Sequence, residues 1–237
     1  MIEPCTFITV KILNTMDKVK SERTPEASVN GSYSYAWQQL WKYFLYFFLV
    51  AIIVGLLESP ASVVRESEME NTPVAVLLKL LSGAYLLLVF PIIKYGGDLL
   101  FLRGIRNEPM DMYVLFEGFK KNYLNIVLSN LLTFAIIGMG IVFFIIPGII
   151  FACRLVFVSY LVMDKNLEPI AAVEKSWEMT RGHGWQIFGM GLLAIPLFIG
   201  GLLCFIVGAL IAVLWVKATF AAFFHAVDIE DQRLMEP

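Results

Sequence analysis

The sequence predicts an all-α fold, a polytopic bundle of six transmembrane helices, and three observations support this. Apolar residues make up 59% of the chain and charged residues only 16%, whereas a soluble domain carries roughly 25% charged residues. The apolar residues form runs long enough for a helix to cross a hydrocarbon core of about 30 Å. Lys and Arg fall almost entirely in alternate connecting segments, which is the pattern of the positive-inside rule.

Six apolar runs have the length that a membrane-spanning helix needs. The predicted spans, in chain order, are Trp41–Leu57, Val74–Ile93, Tyr123–Ile146, Gly148–Met163, Trp185–Leu203 and Ile206–Val227. Pro147 separates the third span from the fourth, where the chain must reverse. No polar loop separates the fifth span from the sixth, and only Gly200, Gly201 and Gly208 interrupt the apolar sequence there.

The basic residues predict the orientation of these spans. Thirteen of the 18 basic residues lie in the N-terminal tail, after the second span, after the fourth span or in the C-terminal tail. Four lie in or beside the spans, and Arg65 stands among glutamates in the loop after the first span. Both tails are therefore expected in the cytoplasm. Residues 33–228 form the predicted membrane domain, between a disordered tail at 1–32, rich in polar and charged residues, and a short tail at 229–237.

The chain also shows an internal repeat with a spacing of about 60 residues. Glu108-Pro109 is echoed by Glu168-Pro169, and proline suits the first turn of a helix. Ile145–Ile150 and Ile206–Ile211 form a second match at this spacing. A chance match of apolar residues explains this second match equally well. We predict three units, each a cytoplasmic amphipathic helix followed by a transmembrane hairpin.

The amphipathic helices are predicted from aromatic and aliphatic residues that recur on one helical face. These residues are Trp37, Leu40, Trp41 and Phe44 in the first unit, Met112, Phe116, Phe119 and Tyr123 in the second, and Ile170, Val173 and Trp177 in the third. Such helices either lie in the headgroup zone of the bilayer or pack against the end of the bundle. The two alternatives are compatible.

Several classes of function are not supported by the sequence. The net charge of -2 and the absence of a basic stripe argue against nucleic acid as a partner. The three cysteines and two histidines are too scattered to predict a metal site or any other cofactor. No phosphate-binding loop, zinc-protease motif or nucleophile elbow occurs, so we do not expect an enzyme.

Three ordered motifs carry a family resemblance. Leu115-Phe116-Glu117-Gly118-Phe119, then Ile146-Pro147-Gly148-Ile149-Ile150, then Ala171–Ser176 with Thr180-Arg181-Gly182, resemble a bacterial family of integral membrane proteins of unknown function. That family is similar to the membrane domain of glycerophosphoryl diester phosphodiesterases and to YciC-like inner-membrane proteins. The resemblance covers roughly 99–228. It implies a six-helix protein of the bacterial inner membrane and structural roles for Phe116, Gly118, Phe119, Pro147, Gly148, Ser176 and Gly182, but no activity.

Charged residues inside the spans are the remaining functional signal, because ionisable side chains in hydrocarbon usually face protein or water. Arg154, placed in the outer half of the fourth span, and Lys217, near the middle of the sixth, are the predicted ligand-binding residues. For Arg154 the alternative is snorkelling or a bond to helix-end carbonyls. For Lys217 we expect an acceptor inside the bundle: a carbonyl freed by Pro196, the Thr133 hydroxyl or Asp98.

Two functions stay open on the sequence. The first is a non-enzymatic inner-membrane accessory or regulatory factor that binds a membrane lipid or another membrane protein. The alternative is a small transporter or exporter subunit for an anionic or amphiphilic substrate. The fifth span, interrupted by Pro196 and four glycines, is either tightly packed or unwound at a substrate site. A polar cavity that reaches Lys217 favours transport.

Overall fold

The computed structural model describes residues 25–66, 72–203 and 205–235, and within those ranges it contains helices and no strand. The helices are α1 (Val29–Lys42), α2 (Phe44–Glu66), α3 (Pro73–Leu88), α4 (Phe90–Ile105), α5 (Val114–Glu117), α6 (Tyr123–Phe143), α7 (Ile145–Arg154), α8 (Val158–Asp164), α9 (Pro169–Met179), α10 (Gly184–Leu203) and α11 (Phe205–Met235). The prediction of an all-α protein is confirmed.

Five segments are long and apolar enough to cross a membrane. They are Pro73–Ile105, Tyr123–Phe143, Ile145–Asp164, Gly184–Leu203 and Val207–Leu234. A sixth candidate is the pair formed by α1 and α2, which meet at a bend of 93°. The structure thus supports a multi-pass membrane protein with five to six spans.

The second span is longer than predicted, and this changes the position of Asp98. The sequence places the end of this span at Ile93, because Lys94 and Asp98 follow. In the structure α4 continues to Ile105 after a break at Val89, and it is buried along most of its length. Asp98 therefore lies inside a candidate span, whereas the sequence placed it at or past the inner end of the second span.

The reversal between α6 and α7 occurs at Phe144, not at Pro147. Phe144 is extended (φ −162°, ψ 147°), and Pro147 lies within the first turn of α7. The two helices touch at Gly140 and Gly148. A Cβ on Gly140 would lie 2.9 Å from the Gly148 Cα atom, so the absence of side chains allows this close crossing.

The amphipathic segments differ from one another, and the three-unit repeat is not confirmed. α1 and α9 are helices of 14 and 11 residues, and Pro169 opens α9 as predicted. The segment after Pro109 forms only the single turn α5. Its spacing of aromatic residues fits a helix, but its four-residue helix buries Val114 and Leu115 and leaves Phe116 exposed.

The tail boundaries also shift. Residues 1–24 lie outside the described residues, so the disordered tail is untested there. Within the predicted tail, however, α1 already begins at Val29, with the Ser28 hydroxyl accepting a hydrogen bond from the Gly31 amide at 3.1 Å. At the other end, α11 continues to Met235, so most of 229–237 is helical.

α10 is continuous across Pro196, and the predicted alternative of an unwound fifth span is wrong. It packs along α11, and the two approach closely at Gly201, where a Cβ would lie 2.8 Å from the Gly208 carbonyl carbon. α11 also packs against α1 and α4. The fully buried alanines Ala218 and Ala221 contribute to this central position, because small side chains let neighbouring helices approach.

Candidate functional site

The packing of α4 against α11 brings two charged residues together inside the membrane domain. The Lys217 Nζ atom donates a hydrogen bond to the Asp98 Oδ1 atom at 2.9 Å. The Asp98 side chain is 11% exposed and the Lys217 side chain 38% exposed. Of the three acceptors predicted for Lys217, the structure selects Asp98, and the carboxylate offsets the cost of placing an ammonium in a span.

A cavity of about 360 Å³ surrounds this ion pair. We call it the intramembrane cavity. Its walls come from α4, α6, α11 and the region where α7 meets α8, and it is the place where the spans leave room for a ligand beside charged groups. Lys94, one turn before Asp98 on α4, also lines it and is exposed.

Polar and aromatic groups complete the lining. Asn130 and Thr133 of α6 contribute an amide and a hydroxyl, and Tyr95 and Tyr160 are buried beside Asp98. The Thr133 Oγ1 atom is buried and has no hydrogen-bond partner among the described residues. A buried hydroxyl without a partner is uncommon, so the cavity offers an unsatisfied polar group next to the ion pair.

One wall of the intramembrane cavity is a broken helix. The fourth span is interrupted between Arg154 and Val158, and Leu155 and Val156 in this break line the cavity. The break frees the Arg154 carbonyl, which accepts a hydrogen bond from the Ser176 hydroxyl of α9 at 2.7 Å. Transporters use discontinuous helices of this kind at substrate sites. In the fifth span, where the sequence left an unwound segment as one of two alternatives, the helix is continuous, and the break occurs in the fourth span.

Arg154 itself does not line the intramembrane cavity. Its guanidinium lies 5.7 Å from the centre of the Trp177 ring in α9, and its Nη1 atom is buried without a hydrogen-bond partner among the described residues. The residue stands at the end of α7, where both its carbonyl and its guanidinium contact α9. Arg154 and Lys217, predicted separately, therefore do not share this cavity, and a ligand role for Arg154 stays a prediction.

Several residues of the three sequence motifs lie at tightly packed or conformationally restricted positions. Gly182 has a φ of +84°, a conformation that glycine adopts without strain. A Cβ on Gly118 would lie 2.6 Å from the Ile126 Cδ1 atom. Ser176 is fully buried and holds the break in the fourth span. Phe116 and Phe119 are instead 44% and 40% exposed, so they do not pack under the bundle.

A second group of charges lies at one end of the bundle. Arg106 donates to Asp164 at 2.8 Å and to Asp228 at 3.2 Å. Lys165 also donates to Asp228, whose side chain is 4% exposed. We call Arg106, Asp164, Lys165 and Asp228 the charge network. It joins the ends of α4, α8 and α11, so three candidate spans are tied together there.

Further contacts bring more of the predicted cytoplasmic segments to the same end. Lys42 of α1 donates to Asn107, and the Asn122 side chain donates to Asn166. Lys175 of α9 pairs with Asp231 at 2.9 Å. Burial by itself lowers the pKa of Lys175, but hydrogen bonds to Asp231 and Glu178 outweigh it and leave the pKa above its ordinary value.

The sequence reasoning missed three of these features. It did not place Lys94 at a site, did not put Asp98 inside a span and did not predict the charge network. One signal was available: Lys94 and Asp98 are four residues apart and thus share a helical face. Comparison of the chain with family models, with curated proteins and with solved structures finds no match.

Proposed function

We propose that this protein is a membrane carrier for a single-chain anionic amphiphile, which it binds in the intramembrane cavity without chemical conversion. The observation that carries the proposal is the Lys217–Asp98 ion pair inside a cavity of about 360 Å³. Intramembrane ionisable residues mark substrate and ion pathways in membrane proteins. A cavity that reaches Lys217 is the feature that separates a transporter from a closed accessory bundle.

The charge of the cavity favours an anion. Lys94 and Lys217 contribute two ammonium groups and Asp98 one carboxylate, so the lining carries one excess positive charge. In the part of the chain that the structure describes, Lys94 forms no ion pair and no other Asp or Glu lines the cavity. This excess positive charge favours a negatively charged headgroup over a neutral or cationic one.

The remaining lining suits a hydrocarbon tail. Phe134, Ile137 and Phe220 add apolar surface, and Phe134 is 63% exposed at the bundle surface. The volume is at the lower end of the roughly 300–1,000 Å³ that small-molecule sites occupy. The cavity therefore fits one chain, or one headgroup with part of a chain.

The depth of the site supports transport. Asp98 precedes Arg106 by eight residues and Lys217 precedes Asp228 by eleven, which at 1.5 Å per residue is about 12 and 16 Å. We place the charge network at one surface of a core of about 30 Å, which puts the ion pair near the midplane. Substrate sites of secondary transporters lie at this depth.

We further propose that the charge network faces the cytoplasm and that both tails lie on that side, in a bacterial inner membrane. The basic residues gathered at this end support the orientation. It can be tested with single cysteines in a cysteine-free background. Glu178→Cys, at a side chain that is 63% exposed, should react only after permeabilisation, and Glu58→Cys should react in intact cells. The reverse pattern would show the opposite orientation.

The binding test uses decanesulfonate, whose charge is constant from pH 5 to 8. Purified protein in nanodiscs of zwitterionic lipid should retain labelled decanesulfonate above the level of empty nanodiscs. Methanesulfonate, which lacks the tail, and decyltrimethylammonium, which has the opposite charge, should bind at least tenfold more weakly. Equal binding of methanesulfonate would point to a free small anion as the ligand.

A matched pair of variants locates the site. Lys217→Leu should reduce decanesulfonate affinity at least tenfold, whereas Lys79→Leu, the same change in the α3 span away from the cavity, should not. Flux is then measured as release of preloaded decanesulfonate from proteoliposomes. Absence of binding, or equal affinity of wild type and Lys217→Leu, contradicts the proposal.

An accessory role is the second candidate, and α1 is the observation that favours it. Trp37 and Trp41 are 38% and 54% exposed on this helix, and α1 is bent 93° from α2. Such a helix suits the bilayer surface or a partner membrane protein. The flux assay separates the two functions: binding of decanesulfonate without release by the purified protein alone would favour the accessory role.

A further inference from the structure

The Lys217–Asp98 ion pair places a constraint on any anion that enters the intramembrane cavity. The Asp98 carboxylate already pairs with the Lys217 ammonium at 2.9 Å, so an anion that pairs with Lys217 must compete with it. If the Asp98 carboxylate and the ligand anion both contacted the Lys217 ammonium, the two negative charges would lie close together. Like charges at short range in a poorly solvated site repel strongly. Protonation of Asp98 removes this competition.

The groups around Asp98 leave it as the proton acceptor. Lys94 and Tyr95 stand on its own helix, Tyr160 faces it from α8, and Lys217 faces it from α11. The polar residues that α6 contributes to the same lining, Asn130 and Thr133, are neutral. Asp98 is the one carboxylate among these lining residues, so it can gain a proton while both ammonium groups keep the positive charge that attracts the ligand.

Building on the proposed function, we infer that anion binding and proton binding are coupled: one proton from water adds to Asp98 as one anion displaces it from Lys217. The Lys217–Asp98 contact breaks, the carboxylate becomes a carboxylic acid, and the ammonium pairs with the ligand headgroup. The protein is then an anion–proton symporter, and a proton is its second substrate.

The charges of the two states support this coupling. The empty cavity holds two ammonium groups and one carboxylate, for a total of one positive charge. The loaded cavity holds two ammonium groups, a neutral Asp98 and one anion, which is the same total. Because the net charge of the cavity does not change on loading, anion and proton move together without net transfer of charge.

The test is the pH dependence of decanesulfonate binding in nanodiscs. In the pH range where loading takes up one proton per anion, the affinity for decanesulfonate should rise about tenfold for each unit that the pH falls. Asp98→Asn should bind at least as tightly as the wild type at low pH and show no pH dependence. Glu58→Gln, at an exposed carboxylate outside the cavity, should keep the wild-type dependence.

A second measurement needs no variant. Adding decanesulfonate to the wild-type protein in weakly buffered solution should remove close to one proton from solution per anion bound, as read from an indicator dye. Binding without proton uptake would overturn the coupling and leave the carrier proposal intact. Absence of binding at every pH would overturn the carrier proposal itself. If the decanesulfonate affinity of Asp98→Asn kept the wild-type pH dependence, a group other than Asp98 would be the one that takes up the proton.

Discussion

The Lys217–Asp98 pair and the charge network both join candidate spans, yet they differ in how completely their charges are compensated. Asp228 accepts hydrogen bonds from Arg106, Lys165 and Gln232, and its side chain is 4% exposed. Among the described residues, the Asp98 side chain has a single hydrogen-bond partner, Lys217, and it borders an open volume.

This difference separates a structural role from a binding role. A carboxylate whose acceptor positions are filled by three donors holds helices in place and has little capacity left for a ligand. A carboxylate with one partner beside a cavity can exchange that partner. The network is therefore expected to determine stability, and the cavity pair to determine binding. Three variants test this division.

The largest effect on stability is expected from Arg106→Leu. It leaves Asp164 and Asp228 without their shared partner, and breaking a buried ion pair on one side costs about 3–5 kcal/mol. The free energy of unfolding in mixed dodecyl sulfate and maltoside micelles measures this loss. Arg103→Leu, the same change one turn earlier on α4, should change it by less than about 0.5 kcal/mol. Equal losses in both variants would mean that the network contributes no specific stability.

A smaller stability effect is expected for the cavity pair. In a double-mutant cycle with Asp98→Asn and Lys217→Leu, the coupling free energy should be about 1 kcal/mol, as for other polar pairs between membrane helices. Lys217→Leu should insert and fold but lose decanesulfonate binding. Lys217→Glu should be worse in both respects, because it places a second carboxylate beside Asp98. A coupling free energy as large as the loss measured for Arg106→Leu would mean that the Lys217–Asp98 pair has a structural role.

The smallest effect is expected at the surface of α5 and the turn after it. Phe116 and Phe119 are largely exposed, so replacing both with Ser should lower the free energy of unfolding in micelles by no more than about 0.5 kcal/mol. Leu115→Ala, at a fully buried neighbour, should lower it by about 2–5 kcal/mol. If the double Ser variant lost as much free energy of unfolding as Leu115→Ala, the two phenylalanines would have to be buried, in conflict with the structure. Hydrogen exchange of this segment in nanodiscs shows whether the bilayer covers it.

The sequence predicted the spans well because hydrophobic length is a local property. Each span needs about 20 apolar residues in a row, and the third and fifth predicted spans agree with α6 and α10 to within a few residues. Its main error has the same origin. The second span was predicted to end before Lys94 and Asp98, because a charge is costly in hydrocarbon. For Asp98 that cost is reduced by Lys217, which lies 119 residues away in the sequence, and a local sequence pattern does not contain such a partner.

The amphipathic segments show the same limit. The spacing of Phe116 and Phe119 fits a helix as well as the spacing in α9 does, but only α9 is long enough to pack along α6, α8 and α11. The segment around α5 instead packs directly on α4, since a Cβ on Gly96 would lie 2.8 Å from the Leu115 Cα atom. This close contact, and not the aromatic spacing, determines its structure.

By itself, then, the sequence determined that this chain crosses a membrane, roughly where it does so, and that Lys217 requires an acceptor, because transfer of apolar and charged groups into hydrocarbon depends on residue type. Only the tertiary structure decided which acceptor Lys217 has, that the fourth span breaks, and that Lys94 stands at the same cavity. Those outcomes depend on how α4, α6 and α11 pack, since an ion pair in a span is stable only where two helices hold its partners within hydrogen-bonding distance.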